Sequence, residues 1–372
     1  MRNLVHRSGL TPVAWSIVAL ATMAGACGGG SSSPTAPTTT QATTTPAPTP
    51  TPTPTPAPAP TPTPAPTATM AFHNSPIDPS AIEFIAPLGN LNPPSHTLPT
   101  NHIYFYNRLN NPSAPPSVVV APAAGTVQYV QWNGSDAGLH VQAVTGFTYY
   151  MAHVVLDSSI VQGATLTSGE RIGMTGTSAS AIDLGLVNES LTLGFVNPAR
   201  YTDEFLHAES PLKYFDEPLR TQLYGLVKRI AADKDGKVAY DVAGRLVGNW
   251  FLQGLAPGDS MQPTANAQQL AFVYDSYDGT SIRVSIGGTL GMTGFFGVQG
   301  GATDPANVST ASGQVAYRLY EAGSDGQAPG GSSQVGLLIV QMTDDSTIKV
   351  QVFAGSGASD ANFTSDARTY TR

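Results

Sequence analysis

Apolar positions along this chain recur mainly with a period of two, in short runs cut by glycines. Between residues 119 and 187 the runs are rich in β-branched and aromatic residues, and the glycines permit tight turns and close strand crossings, so a small, strongly bent all-β unit is expected. From Lys237 onward strands and turns alternate again: Val238-Ala239-Tyr240, then residues 246–252, 270–274, 282–286, 315–320, 335–342 and 348–353. Asp278-Gly279 between two of these runs is a hairpin signal. One stretch changes period: after Asp216 and Pro218, the residues Leu219, Leu223, Leu226, Val227 and Ile230 share a helical face with Arg220, Lys228 and Arg229 turned away, and Asp233-Lys234-Asp235-Gly236 ends it. The expected fold is mainly β: a small bent-sheet unit, one connecting helix, then an antiparallel β-sandwich or barrel.

The N-terminus follows another pattern. Arg2 and Arg7 precede an apolar run at residues 13–23, too short to span a membrane, then Ala24-Gly25-Ala26 and Cys27. This resembles a bacterial lipoprotein signal peptide with its lipobox, with Ala24 in place of the usual leucine three residues before the cysteine. The resemblance implies lipidation at Cys27, membrane attachment through it, and an exported lipoprotein of the cell envelope. Cys27 is the only cysteine, so no disulfide is available once it carries lipid. Residues 28–70 form a Pro/Thr/Ala tract with repeated Thr-Pro pairs, which favours an extended, disordered tether; at about 3.1 Å per residue it reaches on the order of 100 Å. The expected organisation is a signal peptide at 1–27, the tether at 28–70, a first β domain at 84–197, and a helix plus antiparallel β domain at 215–372.

Charge narrows the partners. The chain has 17 basic and 25 acidic residues, and without Arg2 and Arg7 the balance is 15 to 25, which argues against a nucleic-acid partner. It contains no Gly-x-Ser-x-Gly elbow, His-Glu-x-x-His helix, phosphate-binding loop or cysteine nucleophile. The acidic turn at residues 233–236 lacks the further oxygen ligands of a calcium loop.

Four pieces carry a more specific message: Ala121-Pro122-Ala123-Ala124-Gly125-Thr126-Val127, Tyr149-Tyr150-Met151-Ala152-His153, Val161-Gln162-Gly163-Ala164-Thr165-Leu166, and residues 169–177 with Gly169, Gly173 and Gly176. In order and spacing they resemble the core of LytM-like (lysostaphin-type) zinc endopeptidases, whose fold is a small bent sheet of duplicated hybrid motifs. Biotinyl and lipoyl carrier domains share such a glycine ladder but display a modified lysine, and no lysine lies between His73 and Leu212. The resemblance implies a zinc site with three protein ligands and an open position for water. The family's early His-x-x-x-Asp is matched in altered form by His96 and His102, with two extra residues in the spacing and a histidine in the aspartate's place. Its middle histidine, which assists catalysis, is matched by His153. Its final His-x-His is replaced by Asp183-Leu184-Gly185, and glycine has no ligand to offer.

The expectation is therefore a degenerate LytM-like domain, with zinc absent or weak, that binds cell-wall material such as peptidoglycan or regulates a wall hydrolase. An active zinc endopeptidase using a rearranged set of His96, His102, Asp183 and catalytic His153 is the alternative. A third reading makes the C-terminal domain the active part, in small-molecule binding or adhesion; Gly248-Asn249-Trp250 slightly resembles the Gly-x-Trp that opens lipocalin-like barrels. Each candidate also has a plain role: His96 and His102 beside prolines in a loop, His153 in a core, Asp183 capping a turn.

Overall fold

The computed structural model describes residues 69–177, 179–299, 301–322, 333–355, 357 and 361–372. Cys27 and the Pro/Thr tract up to residue 68 lie outside them.

The expected mainly β architecture is present, and side-chain alternation explains how it is divided. The first sheet contains β1 (Phe84–Ala86), β2 (His102–Tyr106), β3 (Val118–Val120), β4 (Gly125–Asn133), β5 (Asp136–Val144), β6 (Phe147–Leu156), β7 (Thr165–Leu166), β8 (Arg171–Thr175), β9 (Ala181–Asn188) and β10 (Ala208–Glu209). Its main path runs β1-β2-β9-β6-β5-β4-β7; β10 joins β9, and β8 bridges β3 and β6. On the inner face, Ile103 and Phe105 of β2 pair across to Leu184 and Ile182 of β9, and Met151 of β6 pairs with Leu184. All five are fully buried. The period of two then sends His102, Tyr104, Asp183, Gly185 and Tyr150 to the opposite face.

Two glycines let the sheet bend. A Cβ at Gly173 on β8 would lie 2.2 Å from the Val155 carbonyl oxygen, and one at Gly125 2.6 Å from that of Gln142. Neither position accepts a larger residue without backbone movement.

Beyond the sheet come α1 (Asp203–Leu206) and α2 (Leu219–Leu226). α2 is shorter than the periodicity predicts. Val227 turns extended at φ −69° and ψ 117°, bridges to Ile85 on the edge strand β1, and the Lys228 amide donates to the Ile85 carbonyl. Pairing with a sheet edge has overridden the helical pattern, and Ile230 is left 65% exposed.

The remaining strands, β11 (Gly248–Leu252), β12 (Gln269–Tyr274), β13 (Ile282–Ile286), β14 (Gly294–Val298), β15 (Gln314–Glu321), β16 (Gln334–Asp344), β17 (Thr347–Ala354) and β18 (Arg368–Thr371), form a closed antiparallel barrel in chain order. β14 and β18 were not foreseen, while residues 238–240 are not a strand. β12 shows how one strand serves two cores. Leu270 and Phe272 point into the barrel with Trp250, Tyr317 and Tyr370, whereas Ala271 and Val273 belong to the core of the sheet. Sheet and barrel thus share buried surface within one unit, residues 65–372.

The barrel interior is filled by side chains. Trp250 is fully buried, its indole N–H donates to the Leu246 carbonyl at 2.8 Å, and the Arg372 guanidinium stacks 4.0 Å from its ring. Arg372 also donates to the carbonyls of Asn249, Val242, Leu246 and Val247. At the β12–β13 hairpin the buried Arg283 pairs with Asp275 at 2.7 Å, and Asp275 also accepts from the amides of Tyr277 and Asp278.

Candidate functional site

The outer face of the first sheet carries a row of rings in register. Tyr129 of β4 lies opposite His140 of β5, His140 opposite Tyr150 of β6, Tyr150 opposite Gly185 of β9, and Gly185 opposite His102 of β2. Tyr129 stacks on His140 at 4.0 Å and His140 on Tyr150 at 5.0 Å. Tyr150 then leans over Gly185 and meets His102 at 6.2 Å. Gly185 is what allows this: a Cβ there would fall 2.0 Å from Tyr150 Cζ, so the phenol ring fills the space that a side chain at 185 would need. The Tyr150 hydroxyl is fixed by donating to the Asn101 carbonyl at 3.2 Å.

One register step along, a second row holds the acids. Asp183 is paired between Tyr104 and Ala152 and is buried. Its Oδ2 lies 3.5 Å from His102 Nε2 and 3.6 Å from His153 Nε2, and its Oδ1 makes no hydrogen bond. His153 Nδ1 lies 3.3 Å from Asp136 Oδ2 across the β5–β6 hairpin. An imidazole is thereby held between two carboxylates. His153 has φ 64°, the single positive φ of a non-glycine among the described residues. Such a backbone costs of order 1–3 kcal/mol and is sustained by surrounding contacts; here these include the Gly176 amide donating to the His153 carbonyl at 2.8 Å. His153 is also the open member of the group, with its side chain 38% exposed against 7% for Asp183 and 9% for His102.

His102 is held on both ring nitrogens. Nδ1 lies 3.0 Å from Asn101 Oδ1, and Nε2 lies 3.0 Å from the Tyr104 hydroxyl. An amide oxygen only accepts, so Nδ1 carries the proton and the Nε2 lone pair takes the tyrosine hydroxyl. His96 packs edge-on against His102 at 5.3 Å from a turn closed by the Asn92 and His96 backbones.

Burial governs the protonation of these groups. It depresses His102 well below the usual imidazole value, helped by His96 and His153, and brings His96 down to about 4 with a smaller push from His153. Burial also pushes Asp183 up to about 6, against the opposing pull of His153. At the outer end of the row burial brings His140 to about 4 and raises Glu204, which approaches the Tyr129 hydroxyl at 3.2 Å and His140 Nδ1 at 3.6 Å.

The structure therefore gathers His96, His102, His153 and Asp183 on one face although they are far apart in sequence. Cys27 lies outside the described residues. Asp136, Tyr104, Tyr129, His140 and Glu204 belong to the same surface and were missed. Asp136 follows Asn133-Gly134-Ser135 and reads as an ordinary turn residue; His140 and Tyr129 gain meaning only from strand register.

The zinc ion that the LytM-like resemblance implies finds only part of its expected donor set here. Among the described residues no group of three or more His, Cys, Asp or Glu side chains is arranged to hold a metal ion. At Gly185, where the resemblance would place a histidine, the Tyr150 ring fills the space, and His102 Nε2 is engaged by Tyr104. The face presents a half-exposed imidazole flanked by carboxylates and, at its margin, the exposed Tyr129 that ends a largely buried row of stacked rings.

No protein-family model and no curated protein matches the chain. Solved structures do match parts of it. Helicobacter pylori Csd3 is 14% identical over 32% of this chain and 32% of its own, with a TM-score of 0.26. A structure of the SpoIIQ–SpoIIIAH pore-forming complex matches at 13% identity over 41% of this chain and 96% of that chain, with a TM-score of 0.29. A zinc-containing peptidase from Vibrio cholerae matches at 16% identity over 32% of this chain and 37% of its own, with a TM-score of 0.26. M23 peptidases recur among the matches. The chain spans about a third of the length of the Csd3 chain. Likeness at this level assigns neither activity nor partner.

Proposed function

We propose that this protein is a lipid-anchored component of the bacterial cell envelope whose LytM-like sheet has exchanged metal catalysis for binding. Its outer face holds cell-wall material, or a hydrolase that acts on it. The observation that carries this reading is the Tyr150 ring over Gly185, which occupies the space of a third metal ligand and extends an aromatic row across the sheet. Aromatic faces with flanking carboxylates suit amide- and hydroxyl-rich polymers. The apolar run before Cys27 and the Pro/Thr tract supply the anchor and the reach.

The test is co-sedimentation of the purified protein with peptidoglycan sacculi, alongside zinc content and release of soluble wall fragments. The expected result is binding that persists in chelator, sub-stoichiometric zinc and no release. Stoichiometric zinc with chelator-sensitive wall cleavage overturns the reading in favour of a peptidase. Loss of acyl labelling and of membrane fractionation in Cys27→Ala is the expected result for the anchor; retention of both overturns it.

A further inference from the structure

The long hairpin of β4 and β5 leaves one strand half-paired. On one side β4 pairs with β5 from Thr126 opposite Gln142 to Asn133 opposite Asp136, with a bulge between Val127 and Tyr129 and an unbroken register from Tyr129 onward. On the other side β7 covers only Gly125 and Thr126, and the last backbone bonds are those between Val127 and residues 163 and 164. Among the described residues nothing pairs with Gln128–Asn133 on that side, and the edge is solvent-facing: Tyr129 is 42% and Trp132 56% exposed, and Gln128, Gln131 and Asn133 are exposed too.

Sheet edges of this kind are usually guarded by charge, proline or very short strands. The opposite edge of this sheet is covered, since β1 bridges to Val227. The stretch Gln128-Tyr129-Val130-Gln131-Trp132-Asn133 has no charged residue and no proline. In a chain with a net charge of −8 it is a place where two molecules approach edge to edge without repulsion along the strand. Its glutamine, asparagine, tyrosine and tryptophan side chains pair well with copies of themselves across a strand ladder.

We infer that residues 129–133 of β4 are a self-association edge, pairing antiparallel with the same strand of a second copy about a two-fold axis at Gln131, so that each Gln131 faces its own copy and the two sheets become one. An antiparallel ladder suits a two-fold axis, because each strand then presents to its partner the same unpaired amides and carbonyls that it meets. The interface lies along the sheet edge and does not depend on what the outer face binds.

The test uses the full chain in a Cys27→Ser background, which removes any acyl chain and the only native thiol. Light scattering after size exclusion is expected to show a dimer at ~100 µM, and Gln131→Lys and Gln131→Glu are each expected to weaken it by at least about tenfold while leaving the melting temperature unchanged. Either sign of charge acts because it meets its own copy. Gln131→Cys is expected to form an intermolecular disulfide under mild oxidation, whereas Ser346→Cys on the exposed β16–β17 turn is not. A monomer at that concentration, a dimer indifferent to both charges, or equal cross-linking at both positions overturns the proposal. So does a monomer whose edge accepts only a peptide of another sequence.

Discussion

Gly185 decides more about this surface than any titratable group on it. With a Cβ position 2.0 Å from Tyr150 Cζ, any substitution must expel the ring. Gly185→Ala is therefore expected to destabilise the protein by about 1–3 kcal/mol in urea unfolding, as overpacking does, and the penalty is expected to shrink in a Tyr150→Ala background. An equal penalty in both backgrounds would show that the ring is not the obstacle. Gly185→His alone is expected to leave zinc content, read by metal analysis, unchanged, since Tyr150 and the Tyr104 bond to His102 remain. At this scale the sequence is a partial guide. The glycine framework and the spacing of His96, His102, His153 and Asp183 point to one surface, but that Tyr150 would close over Gly185, or that Asp136 would reach His153, depends on register and on one positive φ, which no spacing reveals.

Among the elements, the hairpin joining β12 and β13 was readable from Asp278-Gly279, and its stability rests on a residue that was not. Asp275 both terminates the strand and neutralises Arg283, which is 1% exposed. Removing the carboxylate leaves a guanidinium buried without its counter-charge, so Asp275→Ala is expected to cost about 3–5 kcal/mol by denaturant unfolding. Asp275→Ala combined with Arg283→Met is expected to recover much of it, although not the two amides that Asp275 caps; no recovery would place the whole effect in the turn. Period-two runs announced most barrel strands for the same reason that they fold: one face fills the barrel. The ones missed, β14 and β18, are short and broken by glycine or rich in polar residues. α2 was over-extended because periodicity reports a helical face and is blind to a strand edge waiting to pair with Val227.

For the molecule as a whole, the buried imidazoles set the response to acid. His96 and His140 titrate at about 4 in the fold against an ordinary 6.5, so between those values the unfolded chain binds protons that the folded chain refuses, and stability falls as pH falls. His102, displaced further, acts in the same direction, as does Glu209, whose bonds to Asn188, Tyr214 and Lys213 hold it below its ordinary value despite burial. Asp183 opposes them: at about 6 against 3.8 it keeps a proton in the fold that the unfolded chain releases, and Glu204 and Asp241 are shifted the same way. Across this range three buried histidines lean one way, whereas among the opposing carboxyls only Asp183 is displaced strongly, to about 6. The melting temperature is expected to drop between pH 6.5 and 4, by the equivalent of a few kcal/mol. A flat or rising profile would mean that these rings are not held neutral.

The closed barrel has a further consequence, in time. β11 must find β18, pairing Phe251 with Thr371 and Leu252 with Tyr370, across more than a hundred intervening residues. Contacts that distant in sequence carry a large loop-closure cost before they return any stabilisation, and rings sealed by such contacts assemble in milliseconds to seconds rather than microseconds. Until the seam closes, β11 offers the newborn chain an open margin, and Trp250 waits for the guanidinium of Arg372 that will cover it. The interval between emergence of β11 and arrival of β18 is when this protein is most exposed to mispairing.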